Sequence, residues 1–384
     1  MKLSPHCLFG SSDARRIVTQ GFAPVIKLVD DFAWASDFAS LPHHPLLIGR
    51  KTAPRELLDY NPAQRFHDGA DSRGEAHRFL HDLRDGGGWS MADNIRANPH
   101  VDAWEGPNEP VFSTPEEMNW YARFETERAR LLFNLGTGAV VGNFSVGTPD
   151  LGLWTSFYPA IDAIRLYSGF LGLHEYWDWT PDMNPPWYPG NLTWHQLRYR
   201  RVAEIFGANM PSTVITECGW DTVPLQDSPH PKTGYSPGKP FHLRGLGIGE
   251  YFNSLKAYDQ ELQKDSYIVG ATIFTFGNGW PDHNVEGDGL ADLLITYWQE
   301  APAEEIDMTL LESLVIVKTL RSLTKRSIAG AELTTVPANT HLMVYQAPVN
   351  FAWAFGDNRL ILAGTTGKSI WADPDPNNPS VQYL

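Results

Sequence analysis

The chain has 384 residues, 42% of them hydrophobic and 20% charged, with a formal net charge of −15. This is the composition of a soluble globular protein long enough for one large domain and a small one, or for a single barrel with insertions. It excludes a disordered chain, and the apolar runs fall well short of the roughly 18 residues needed to cross a bilayer. No membrane partner is therefore expected.

The acidic balance, without a basic stripe or arginine-rich helix, argues against nucleic acid as a partner. Cys7 and Cys218 stand far apart and form neither a metal-ligand pattern nor a disulfide framework. No metal and no cofactor is expected. The opening "MKLSPHCLFGSS" has one lysine and no apolar core, so it does not read as a signal peptide. The expected location is cytoplasmic, or outside the cell if a leader has been removed. No pattern specifies an oligomeric state.

In chain order, eight short apolar runs read as strands: "HCLFG", "PVIKLVD", "PLLIGR", "DAWEG", "AVVGNF", "GFLGLHEY", "STVITECGW" and "IVGATIFTF". Helical stretches fall between most of them, including "SSDARRIVTQG", "GEAHRFLHDLRD", "SFYPAIDAIRLYSG" and "TWHQLRYRRVAEIFG". After the fourth strand, Thr114 caps a long helix, Pro115 suits its first turn, Glu116 and Glu117 favour its positive end, and Gly136 ends it. The last helix is predicted over Thr309–Lys325. This alternation predicts a (β/α)8 TIM barrel over residues 1–327. An open doubly wound sheet fits less well, because no glycine-rich fingerprint follows the first strand.

From about residue 328 to 384 the pattern changes to short alternating runs separated by turn residues. A small β-rich C-terminal module is predicted, either a cap on the barrel or a carbohydrate-binding unit. Its G-x-T and Trp placement resembles bacterial SH3-like modules. The strand-to-helix connections after strands three, six, seven and eight are long for such a fold, and in a (β/α)8 barrel they share the face that carries the active site.

Chemistry-bearing residues collect at the strand ends on that face. "VDAWEGPNEP" closes strand four on Asn108 and Glu109, and "TVITECGW" places Glu217 on strand seven. Period two puts Ile215 and Gly219 on the same, inward face as Glu217. On strand six, His174 and Tyr176 share a face while Glu175 points out toward the helices. Strict alternation would send Asn108 and Glu109 to opposite faces, so the strand must bulge or end there, which Pro107 and Pro110 favour.

The ordered set of "NEP" (Asn108, Glu109, Pro110), "H-x-Y" (His174, Tyr176) and "TECGW" (Glu217) resembles clan A of the glycoside hydrolases, retaining enzymes on a (β/α)8 barrel. The resemblance implies hydrolysis of β-glycosidic bonds by double displacement, with Glu109 as acid/base and Glu217 as nucleophile. Retaining hydrolysis needs one carboxylic acid to protonate the leaving oxygen and one carboxylate to attack the anomeric carbon. Glu109 must then hold a proton near neutral pH, helped by the charge of Glu217, while Glu217 stays ionised. Tyr176 is placed to hydrogen-bond Glu217, and Asn108 to hold the sugar 2-hydroxyl.

His174, Arg50, Asn143 and Trp280 complete the candidate substrate-binding set, with Asp30 beside Arg50. Clan A enzymes arrange Arg and His differently on the early strands. Glu105 is expected deeper in the barrel, bonded to Lys27 or Arg50. Trp177, Trp179, Trp187 and Trp220 are further loop candidates for stacking on sugar rings. The acidic charge and the Trp-rich rim favour a neutral glycan over a uronic-acid polymer. Two other classes compete. A metal-dependent barrel enzyme would want an acid where strand five carries Asn143, and a catalytically silent carbohydrate-binding barrel would be expected to lack one of the two glutamates.

Overall fold

A computed structural model describes residues 1–300 apart from 22, 53–59, 86, 178–194, 221–246, 278–279 and 281–282, and beyond 300 the backbone of strands between 314 and 383. The eight predicted strands are all present: β1 (Leu3–Leu8), β2 (Val25–Val29), β3 (Leu46–Arg50), β4 (Ala103–Glu105), β5 (Gly138–Phe144), β6 (Phe170–Trp177), β7 (Thr213–Trp220) and β8 (Ile268–Phe276). They pair in sequence order into a closed barrel, and β8 returns to β1. Every pairing around the ring is parallel. The (β/α)8 barrel predicted from the alternation is the observed fold.

Parallel strands are buried on both faces, which is why they read as near-continuous apolar runs. One face of each strand packs against the helices. The other fills the barrel, where Val25, Ile48, Ala103, Val140 and Val214 form a small apolar layer of their own. Above it the inward positions turn polar. Lys27 follows Val25 by two residues, Arg50 follows Ile48, and Glu105 follows Ala103, and all three are buried. Period two thus carries each strand from an apolar floor to a charged upper layer.

The helix after β4 spans Pro115–Asn134. Thr114 Oγ1 accepts from the Glu117 N–H at 3.2 Å, and the Glu117 carboxylate accepts in return from the Thr114 N–H at 3.1 Å. Gly136, at φ +88°, lets the chain leave the helix in a conformation that disfavours other residues. Arg128 on this helix donates to the carbonyls of Trp104 at 3.1 Å and Val140 at 2.6 Å, bridging β4 and β5. A Cβ at Gly106 would lie 2.8 Å from that guanidinium, which would have to shift to admit it.

Two expectations are corrected. The helix predicted over Thr309–Lys325 is not what the described residues there form: they are strands β9 (Leu314–Thr319) and β10 (Leu323–Arg326), and the helix after β8 is Leu290–Glu300. The stretch "LVIVKT" is rich in β-branched residues, a preference that outweighed the helical spacing of its leucines. β9 pairs antiparallel with β12 (His341–Tyr345) and β15 (Val381–Tyr383), β10 with β11 (Glu332–Val336), and β13 (Leu360–Ala363) with β14 (Ser369–Ala372).

The second correction concerns β7. Ile215 packs in the outer core, whereas Val214 lies in the barrel interior. The register between β6 and β7 shifts from Leu173↔Ile215 to His174↔Glu217, leaving Thr216 as an extra residue on β7. That bulge breaks the alternation below Glu217 and re-aims the carboxylate inward.

Candidate active site

β4 ends at Glu105, so Asn108 and Glu109 lie beyond it on an irregular segment. Glu109 sits in the left-handed region at φ +46°, and its N–H donates to the carbonyl of Asn143 at 3.0 Å. The turn frees both side chains from strand alternation. Asn108 and Glu109 therefore both line one pocket with Glu217, Tyr176 and Arg50. Its volume, about 440 Å³, is in the range of small-molecule sites.

Glu217 is the most tightly held group. Its Oε1 accepts from Lys27 Nζ at 3.0 Å and from an Arg50 terminal nitrogen at 2.9 Å, and its Oε2 accepts from the Tyr176 hydroxyl at 2.8 Å. Burial alone would raise its proton affinity, but His174, Lys27 and Arg50 outweigh that and hold its pKa well below the ordinary carboxylate value. Lys27 Nζ lies 3.0 Å from Glu105 Oε2 as well, with Arg50 Nε 3.9 Å from the same oxygen. Glu105 is thus bonded as expected. Two carboxylates and two cations form a neutral buried quartet at the centre of the barrel.

Glu109 differs from its partner in exposure, its side chain being 37% exposed against 8% for Glu217. Glu109 Oε1 lies 2.8 Å from His174 Nδ1, which is also 3.5 Å from Glu217 Oε2. Oxygens of the two carboxylates and this nitrogen all lie within 4.8 Å of one another. Burial and the charge of Glu217 push Glu109 up, but the His174 contact and a hydrogen bond from Ser145 leave it below its ordinary value. The proton-holding carboxyl expected from the charge of Glu217 alone is therefore not the state of the unliganded site.

His174 is buried behind the two glutamates, and Asn143 is buried beneath Glu109; neither is among the residues lining the pocket. Trp280 is half exposed and lines the rim, its ring 6.2 Å from that of Phe274. Asp30 lines the pocket too, while its carboxylate accepts from the Thr52 N–H at 2.8 Å and from the Thr52 hydroxyl. Glu175 points outward as predicted, accepting from the N–H groups of Leu197 at 2.8 Å and Tyr199 at 3.0 Å and from the Tyr258 hydroxyl at 2.5 Å.

Trp177 and Trp220 belong to β6 and β7 and not to loops. Both are buried among the helices, where both indoles donate to Ser254 Oγ, at 2.8 and 3.1 Å. They cannot stack on a ligand in the pocket. Trp179 and Trp187 lie outside the described residues.

Sequence reasoning passed over His6, Thr52, Phe274 and His283, which also line the pocket, and had Lys27 only as a partner for Glu105. Lys27 carried a readable signal: a lysine in the middle of an apolar strand needs a buried counter-charge. The others carried none, because strand-end polarity is common.

The chain matches no family model and no curated protein. Among solved structures it is similar to a β-glucuronidase from Ruminococcus gnavus in complex with uronic deoxynojirimycin, at 14% identity and TM-score 0.46, over 77% of this chain and 49% of that one. It is also similar to the Faecalibacterium prausnitzii β-glucuronidase, at 12% identity and TM-score 0.44, over 78% of this chain and 49% of that one. An uncultured Clostridium sp. β-glucuronidase gives 12% identity and TM-score 0.44, over 78% and 50%. The chain spans about half the length of these proteins, and likenesses at this level carry no inference about its activity.

Proposed function

We propose that the protein is a retaining glycoside hydrolase that cleaves β-glycosidic bonds, with Glu217 as nucleophile and Glu109 as acid/base. The observation that carries this reading is the pair itself: oxygens of two carboxylates within 4.8 Å, at the ends of β4 and β7, inside one pocket. Retaining enzymes hold their carboxyl groups about 5–5.5 Å apart, whereas inverting enzymes need roughly 6.5–9.5 Å to admit a water.

The electrostatics support the assignment of roles. Glu217, buried and held ionised by three donors, attacks the anomeric carbon and forms the glycosyl ester as the bond to the leaving oxygen breaks. Glu109, more exposed, faces the side from which a leaving group departs and water enters. Its proton is taken up when glycan displaces water from that exposed face, because burial is the largest influence on this carboxyl and favours the neutral form. Glu109 gives that proton to the leaving oxygen, then removes one from the water that attacks the ester, which restores Glu217. Asn108, whose buried Oδ1 has no partner among the described residues, accepts from a sugar hydroxyl.

Glu109, His174 and Glu217 are also close enough to hold a cation. That reading is weaker, because Glu217 Oε1 already faces two cationic side chains, which would repel a metal ion.

The test is hydrolysis of aryl β-glycosides, including glucoside, galactoside, mannoside, xyloside and glucuronide, by wild type and by Glu217→Ala with added azide. The expected result is an inactive variant whose turnover azide restores as an α-glycosyl azide. A β-glycosyl azide, or a Glu217→Ala variant that keeps wild-type rates, would overturn the assignment.

A further inference from the structure

The pocket contains a buried polar group that the proposed chemistry does not use. His6 lies on β1, 1% exposed, in register with Lys27 on β2, so its side chain enters the barrel at the level of the charge quartet. It lines the pocket, and neither ring nitrogen has a hydrogen-bond partner among the described residues. The ring is held edge to face against Phe274, with centroids 4.8 Å apart and planes at 77°. Buried donors and acceptors are nearly always paired, so an orphan imidazole at the floor of an open pocket marks a place for a ligand.

We propose that His6 is a specificity-determining residue that hydrogen-bonds a hydroxyl of a neutral sugar ring bound over Glu217. This rests on the reading of the pocket as a glycan site and narrows its substrate class. Neutral imidazole offers one N–H donor and one acceptor nitrogen, and a hydroxyl can both accept and donate. A uronate carboxylate can only accept, which would leave the second nitrogen unpaired. Burial, and then the adjacent charge of Lys27, keep His6 well below its ordinary pKa, so its uncharged form is the one the ligand meets. Asn108 Oδ1, also unpaired among the described residues, is acceptor-only and so selects hydroxyls as well.

The experiment measures dissociation constants by NMR titration for methyl β-glucoside, galactoside, mannoside, xyloside and glucuronide, then for each monodeoxy derivative of the tightest ligand. Wild type is compared with His6→Phe, which fills the same space against Phe274, and with His6→Gln, whose amide keeps a donor and an acceptor. A neutral glycoside is expected to bind tightest. One deoxy position should weaken wild-type binding about tenfold, cost nothing further in His6→Phe, and retain an intermediate penalty in His6→Gln. If His6→Phe does not fold, His6→Gln decides alone, by whether discrimination changes at one position only.

Deoxy profiles identical in all proteins would overturn the proposal, leaving water as the occupant of the ring nitrogens. So would tightest binding of the glucuronide, or no binding of any glycoside. Hydrolysis of the aryl glycosides, followed in parallel, separates the two readings: turnover without His6 coupling sinks only the role of His6. Coupling without turnover sinks only the catalysis.

Discussion

Lys27→Met removes one cation from between two buried carboxylates, and its effect can be worked from the geometry. Lys27 Nζ lies 3.0 Å from both Glu105 Oε2 and Glu217 Oε1. At an effective dielectric of about 20, each contact is an attraction of roughly 5–6 kcal/mol before desolvation. Arg50 remains, 2.9 Å from Glu217 and 3.9 Å from Glu105, and its attraction to Glu105 is only about 4 kcal/mol on the same scale. The variant therefore holds two buried carboxylates against one guanidinium. Breaking a buried pair in this way costs about 3–5 kcal/mol, since the lysine's own desolvation cost is recovered.

Equilibrium urea unfolding followed by Trp fluorescence, with 14 indoles as reporters, measures the loss at pH 7. One carboxylate of the variant takes up a proton to escape the imbalance, so the loss should shrink as the pH is lowered toward 5. Adding Glu105→Gln restores neutrality and should recover part of the stability. A Lys27→Met protein within about 1 kcal/mol of wild type at pH 7 would refute the quartet as a coupled unit. So would a Glu105→Gln change whose cost simply adds to that of Lys27→Met.

Tyr176→Phe removes the 2.8 Å donor to Glu217 Oε2. The expected loss in kcat on a responsive aryl glycoside is about 10- to 100-fold, the worth of a hydrogen bond to a charged group, with KM little changed; a change confined to KM would place Tyr176 on the substrate instead. Burial raises Glu175 to about 7, against hydrogen bonds from Tyr258, Tyr199 and Leu197 that lower it. The folded state therefore binds more protons than the unfolded state between the ordinary carboxyl value and about 7, and stability falls as pH rises through that window. Glu175→Gln should remove this contribution, so the stability difference between variant and wild type should change by up to about 1.4 kcal/mol per pH unit there and level off above it. A difference independent of pH from 4 to 8 would refute it.

Much of the architecture was legible because local rules and the global fold agree. Eight strands were identified from apolar runs between turn residues, and the long helix after β4 from Thr114, Pro115 and Glu117, each of which acts over a few residues. The inward or outward sense of Glu175, His174 and Tyr176 follows from period two along an unbroken strand. The same rule failed for Ile215, because the Thr216 bulge is set by pairing with β6 and not by the local sequence. The helical reading failed at Thr309–Lys325 because helix and strand spacing compete there and long-range pairing with His341–Tyr345 and Val381–Tyr383 decides.

The amino-acid sequence by itself specified the barrel and pointed to Glu109 and Glu217 as the candidate pair, since both are written in short ordered patterns. Only the tertiary structure decided how those glutamates are charged. Glu109 and His174 are 65 positions apart, and Lys27 and Glu217 are 190 apart, yet a closed barrel brings each pair to 2.8 and 3.0 Å. Electrostatic interaction depends on separation in space and on exclusion of water, and neither exists until the eight strands close. The same closure buries His6 at the pocket with neither ring nitrogen paired among the described residues, a feature that nothing in the sequence marks.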